Sequence, residues 1–177
     1  MILGVVAAKH DSKRLPGKNR ISVGGKPLFW HSVQPLLNAT LVDDVCVATD
    51  SDEIREYAEA RSVRVVWRPK NAARSDAPLL SVLGFALESS DEDYDFVASI
   101  MANCPGHAGG TVDEAIRMAQ SQSLREVRSF NSEGAESGLL VLSRETVLER
   151  ASISVYMGAI TSNVNEIHVP EDLQWVA

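Results

Sequence analysis

Four short apolar runs, residues 2–8, 45–49, 63–67 and 96–101, recur through the first hundred residues, with helix-like or polar stretches between them. Runs this short and this uniformly apolar read as strands buried on both faces, the pattern of a parallel sheet. Parallel neighbours cannot be joined by a tight hairpin. Each needs a crossover, usually a helix, and helices then cover both sides of the sheet. The sequence therefore predicts an α/β protein, a three-layer α/β/α sandwich around a mostly parallel sheet.

The intervening segments fit this frame. Residues 28–37 read as a helix despite Pro35, with Leu28, Trp30, His31, Leu36 and Leu37 as inward positions. Ser51 is placed to cap the next helix, with Asp52 and Glu53 in a first turn where the helix dipole favours acids. Residues 82–87 read as helix, and Thr111 as the cap of a helix running to Met118, with Asp113 and Glu114 early in it. Residues 139–142 read as strand, 145–150 as a short helix and 167–169 as a last short strand, after which Pro170 opens a terminal helix. Residues 9–20, Gly24-Gly25, 89–95 and 106–110 are turns or loops. No repeat, low-complexity tract or linker interrupts the 177 residues, which read as one domain, 1–177.

Charge narrows the function. The net charge of −7 argues against a general nucleic-acid or anionic-membrane binder, and Trp30, Trp67 and Trp175 are too scattered for a base-stacking array. Yet Lys9, Lys13, Arg14, Lys18, Arg20 and Lys26 crowd residues 1–26 against the single acid Asp11. A basic segment on an acidic body suggests a local anion site, although the same charges also suit a solvated loop. Cys46 and Cys104 lie far apart and in no CxxC pair, so neither a disulfide framework nor structural zinc is expected, and a reducing cytoplasm is the expected compartment. The opening apolar run is too short for a signal peptide or a membrane span.

The basic segment follows the first strand directly: Ala8-Lys9-His10-Asp11-Ser12-Lys13-Arg14-Leu15-Pro16-Gly17-Lys18-Asn19. Cations set among the N–H groups of a tight loop suit a polyphosphate, which needs neutralisation and many donors. In open α/β sheets ligands bind at the carboxyl ends of the strands, where this loop emerges. It is neither a GxxxxGK[ST] nor a GxGxxG loop.

The run from Ser12 to Asn19, followed by Gly24-Gly25-Lys26-Pro27-Leu28, resembles the acylneuraminate cytidylyltransferases, the CMP-sialic acid synthetases, and their CMP-octulosonate relatives. The likeness continues through Val47-Ala48-Thr49-Asp50-Ser51-Asp52-Glu53-Ile54 and Arg68-Pro69, fades from residue 102 and returns weakly at 166–173. It implies a fold of nucleotide-diphospho-sugar transferase type. It also implies transfer of CMP from CTP to an acidic sugar or another small anionic acceptor, with magnesium (Mg2+) or manganese (Mn2+) and, in the family, a homodimer. The same resemblance implies catalytic roles for Lys18, nearest the transferred phosphoryl, and for Lys9, which replaces a usual Arg. It implies nucleotide contacts from Ala8, Lys9, Ser12, Lys13, Arg14, Lys18 and Asn19, base recognition by Arg68 with Asp76 following it, and Ser81 nearby. Arg68 and Asp76 are equally readable as loop residues that pair with each other. Asp50 has two readings, a chemical role or a turn residue before the cap.

The chain departs from the family pattern in four places. Met101-Ala102-Asn103-Cys104-Pro105 stands where Gln-Pro-Thr-Ser-Pro is usual, so Asn103 offers magnesium a neutral oxygen. Glu166-Ile167-His168 stands for an Asp-x-Asp metal motif, making Glu166 and His168 the other expected ligands. Residues 120–138 replace a long dimerising arm with a short polar stretch carrying Arg125, Arg128, Asn131 and Glu133. Leu79 and Leu80 replace small polar residues near the base. These departures leave two alternatives open, a nucleotide binder that has lost its acceptor and metal sites, and a transferase using another nucleotide. His10 lies within the loop. His31 and Cys46 read as packing residues, and Cys104 with His107 lacks a third group to make a nucleophile.

Overall fold

The computed structural model describes residues 1–12, 15–68, 78–149 and 156–176. Seven strands form the main sheet: β1 (Ile2–Ala7), β4 (Asp44–Thr49), β5 (Arg64–Trp67), β6 (Phe96–Ile100), β7 (Glu126–Phe130), β8 (Glu136–Ser143) and β9 (Met157–Thr161). Their order is β5-β4-β1-β6-β8-β7-β9, and only β8 runs against the others. A separate hairpin, β2 (Ser22–Val23) with β3 (Lys26–Pro27), turns through Gly24 and Gly25, both at positive φ as such a turn requires.

Among the described residues the α-helices are α1 (Trp30–Asn38), α2 (Asp52–Glu59), α3 (Leu79–Glu88), α4 (Gly109–Ser121) and α5 (Arg144–Glu149). Strand alternation divides them between the faces. Ile2 and Val6 of β1 share a core with Val33 and Leu36 of α1, Ile54 and Ala58 of α2, and Ile116 of α4. Leu3 and Val5 share the opposite core with Leu83 and Leu87 of α3 and Val147 of α5. The predicted three-layer sandwich is the observed one.

Local differences have local causes. Leu37 points outward, 47% exposed, because the buried face of α1 runs through Trp30, Val33 and Leu36. His31 is half-buried, with its Nε2 2.9 Å from the Val23 carbonyl. Ser51 caps α2 as expected, its Oγ accepting from Ile54 N at 3.5 Å. Thr111 caps nothing. The helix α4 starts earlier, at Gly109 after Ala108, where a Cβ would lie 2.8 Å from the Asn38 backbone.

Strands β7 and β9 were absent from the sequence reading. In β7 the buried positions are Glu126, Val127 and Ser129, and Glu126 is charge-paired with Arg128, so no apolar run announces the strand. In the edge strand β9 only Ile160 is buried. Residues 120–138, read as a short polar stretch, therefore supply β7 and a turn closed by Asn131 Oδ1, which accepts from Glu133 N and Ala135 N, each at 3.0 Å. Residues 167–169 form no strand, and the terminal helix is a 3-10 helix, Pro170–Val176.

Two features outside the candidate site carry stability. Asp113 of α4 accepts from Thr40 N at 3.1 Å, Thr40 Oγ1 at 2.8 Å and Leu41 N at 2.9 Å, and so fastens the α1–β4 connection to α4. Burial alone raises its carboxyl pKa, but these hydrogen bonds and the nearby Arg117 outweigh it and bring the group below its ordinary value. Gly138, the third residue of β8, takes φ +83°, and a Cβ there would lie 2.3 Å from Cys104 Sγ. Gly138→Ala is expected to cost about 2–4 kcal/mol from overpacking and backbone strain, measured by urea denaturation. The Asp113 contribution is complete above the ordinary carboxylate pKa of about 3.9 and is lost as pH falls through the lowered folded value. Asp113→Asn should therefore destabilise the protein at pH 7 and lose less of its remaining stability than wild type on acidification, read from urea midpoints across the pH range.

Candidate active site

The carboxyl ends of the parallel strands gather the candidate residues. Ala8 is buried, and its N–H donates to the Ala48 carbonyl at 3.0 Å, extending the register beyond β1. The loop then turns back on itself. Gly17 takes φ +67°, and a 3-10 turn, Lys18–Arg20, follows. Lys18 N donates to Leu15 O at 3.1 Å and Arg20 N to Gly17 O at 2.9 Å. Asn19 is the pivot of this return. It is buried, its Nδ2 donates to the Lys9 carbonyl at 2.9 Å, and its own carbonyl accepts from Phe29 N at 3.1 Å. In this geometry Asn19 orients the loop.

Asp50 sits at the end of β4 and accepts from His10 N at 2.6 Å. It braces the outgoing limb of the loop, while Ser51 does the capping. Arg68 leaves β5 next to it, its N–H donating to the Thr49 carbonyl at 2.8 Å. Burial lowers the pKa of the Arg68 guanidinium, and the charge of Asp50 opposes that shift. Ser12 N donates to Asp11 Oδ1 at 3.1 Å. Ser81 is half-buried in the first turn of α3, its N–H donating to the Pro78 carbonyl at 3.0 Å. Lys13, Arg14 and Asp76 lie outside the described residues.

The opposite wall comes from the segment that fails to form a strand. Ile167 is fully buried, and its N–H donates to Asn103 O at 2.7 Å. Its carbonyl accepts from Lys18 Nζ at 3.2 Å and from Asn103 Nδ2 at 3.3 Å. Asn103 Nδ2 also reaches Glu166 Oε2 at 3.4 Å, and that same oxygen lies 2.8 Å from His168 Nε2. His168 N and Val169 N are held by Asp172 Oδ2 at 2.7 and 2.9 Å. Lys18, Asn103, Glu166 and His168, chosen from distant parts of the sequence, thus meet around one backbone carbonyl. No pattern of side chains points to that carbonyl, and the two braces, Asp50 on His10 and Asn19 on Lys9, were missed for the same reason.

The donor set bears on the expected metal. Glu166 is its one carboxylate, shared with His168, and no group of three or more His, Cys, Asp or Glu among the described residues could hold an ion. Such a set fits a cation that arrives on phosphates and needs one carboxylate and a neutral oxygen from the protein. It does not fit a cage built from protein ligands alone. Cys104 and His107 stay outside the chemistry. Burial pushes the Cys104 thiol pKa far up, helped by Glu166 and opposed by Lys18. Both ring nitrogens of His107 are engaged, Nε2 with Ser137 O at 2.7 Å and Nδ1 with Ser162 Oγ at 3.0 Å. No helix among the described residues is long and apolar enough to cross a membrane.

Comparison with known proteins gives the same direction. The N-acylneuraminate cytidylyltransferase of Streptococcus agalactiae serotype III is 27% identical over 137 residues, 76% of this chain and 33% of that protein. The CMP-N,N'-diacetyllegionaminic acid synthase of Legionella pneumophila is 30% identical over 121 residues, 66% of this chain and 52% of that one. The chain spans between a third and about half of the length of these relatives. Among solved structures, a CMP:2-keto-3-deoxy-manno-octonic acid synthetase complexed with CTP shares the fold, with a TM-score of 0.79 over 99% of this chain and 96% of that one at 14% identity. The family described as cytidylyltransferase matches residues 3–125, which hold the cationic loop, Asp50, Arg68 and Asn103, and the chain belongs to that family.

Proposed function

We propose that this chain transfers CMP from CTP to a hydroxyl of a small sugar acid. The acceptor oxygen forms a bond to the α-phosphorus, the α–β bridging P–O bond breaks, and its electrons leave with pyrophosphate. The acceptor hydroxyl gives up its proton. One observation carries the reading. The cationic loop is folded back on itself at the carboxyl edge, and its Lys18 ammonium stands at the junction with Asn103 and Glu166.

The residues divide the work. Lys9 and Lys18 neutralise charge on the phosphates, joined by Lys13 and Arg14 from the same loop, and Ser12 meets the phosphates at its outer limb. Lys18 lies nearest the transferred phosphoryl and stabilises the charge that builds on phosphorus and on the leaving group. Asn19 and Asp50 keep the loop bent, so that its cations are in place before the nucleotide arrives. Arg68 reads the base, a role in which Asp76 and Ser81 are its expected partners. Glu166, His168 and Asn103 would hold a magnesium or manganese ion bound together with the triphosphate. That ion supplies additional charge neutralisation when bound. The acceptor is small, because the β7–β8 connection is a tight turn and leaves little protein there to grip a large one.

The reaction is tested by pyrophosphate release with CTP, magnesium and a panel of keto-sugar acids, with UTP, GTP and ATP as competitors. CTP binding without turnover on any acceptor would sink the proposal. Lys18→Ala should lower turnover by about 10²–10³-fold, the loss of one preorganised electrostatic contact, with an unchanged far-ultraviolet spectrum. Asp50→Ala should act differently. It releases the His10 amide, so the KM for CTP should rise by about three- to tenfold while turnover at saturation changes little, since the cations themselves remain. Equal losses in turnover and in turnover over KM would place Asp50 in the chemistry instead.

A further inference from the structure

The loop has a second fastening, at its returning limb. Arg20 Nη1 lies 2.6 Å from Glu53 Oε2 in the first turn of α2. On the way there the guanidinium crosses Gly17. Its Nη2 stands 3.0 Å from where a Cβ on residue 17 would be. Arg20 is thus folded over the left-handed turn that starts Lys18–Arg20, and any side chain at position 17 would have to push it away. Two of the buried polar side-chain atoms without a hydrogen-bond partner among the described residues are consecutive here, Asn19 Oδ1 and Arg20 Nε. Such atoms are few in folded proteins and cost stability. Their placement in the turn that carries Lys18 marks a conformation fixed by something beyond its own hydrogen bonds.

We infer that Arg20 is a positioning residue, held by Glu53, which sets the Gly17–Lys18 turn for a triphosphate without touching it. The two fastenings land on the same support. Asp50 takes the outgoing limb at His10, and Glu53, three residues on, takes the returning limb at Arg20. The charge placement agrees with this role. Glu53 neutralises Arg20 at the outer end of the loop, where the cation would otherwise add to the crowding around Lys9 and Lys18. The side chains are 28% and 65% exposed, so the pair contributes little to global stability, and its value lies in geometry. The planar guanidinium fork is what spans Gly17 and reaches a carboxylate together, which a lysine ammonium cannot reproduce.

The ligand in this inference rests on the proposed function, but the geometry does not, and the test separates them. Amide hydrogen exchange of Lys18, Arg20 and Ile21, whose N–H groups donate within this turn, is compared in wild type, Glu53→Gln and Arg20→Lys. The expected result is an increase in exchange of about fivefold at these amides in both variants, the size an exposed pair of good geometry supports, with exchange in β1 and β4 unchanged. Isothermal titration with magnesium and CTP should show weakening by a similar factor, and turnover at saturation should stay within about twofold of wild type. Exchange like that of wild type in either variant, or a uniform rise across the sheet, overturns the inference. If wild type binds no triphosphate, the proposed function fails while the exchange result still decides the role of Arg20.

Discussion

The site depends on one hydrogen bond, from the buried amide of Asn19 to the carbonyl of Lys9. It joins the end of the loop to its beginning. It closes the cation-bearing loop into a turn that returns to where it began. The cost is electrostatic, because like charges brought together repel. Beside Asp11 in the loop itself, acids on the supporting elements meet that cost: Asp50 at the end of β4, Glu53 in the first turn of α2, and Glu166 from the segment opposite. An anion would complete the balance that these carboxylates begin.

The topology explains why those supports are available. In a parallel sheet every strand ends at the same edge, so β1, β4, β5 and β6 deliver Ala8, Asp50, Arg68 and Met101 side by side although they lie far apart in sequence. The antiparallel strand β8 matters for a different reason. It brings Gly138 to the same edge, where the Gly138 carbonyl accepts from Met101 N at 2.9 Å and fixes the exit of β6 that carries Asn103. The close packing of Cys104 against Gly138 sets how near that exit can come. A residue with no part in the chemistry thereby controls where a candidate ligand-binding residue stands.

The central strands and the cationic loop were legible in the sequence because each is a contiguous signal, an apolar run or a cluster of one charge. Strand β7 was not, because its inward positions include Glu126 and Ser129, which are buried only because partners satisfy them: Arg128 for the one, Ser137 Oγ and Leu139 N for the other. Asn103 and Glu166 were legible as residue types but not as neighbours. What unites them is the backbone of Ile167, which pairs with Asn103 through both its N–H and its carbonyl. Side-chain patterns say nothing of such bonds. The same holds for the braces, which act on the Lys9 carbonyl and the His10 amide. Sequence reading therefore picked out the cationic loop and the residue types around it but missed the backbone contacts that shape it.

The Ile167 carbonyl also changes how the altered metal motif should be understood. A pair of carboxylates two residues apart is strongly repulsive until a cation separates them. A glutamate and a histidine in those places attract each other, and here they pair at 2.8 Å. The segment 166–168 docks against Asn103 and Lys18 through the Ile167 backbone and the Asn103–Glu166 contact. In the proposed reaction a cation would then meet one carboxylate, Glu166, at a wall whose backbone pairing is already made, and the phosphates of the nucleotide would supply the remaining hard oxygens.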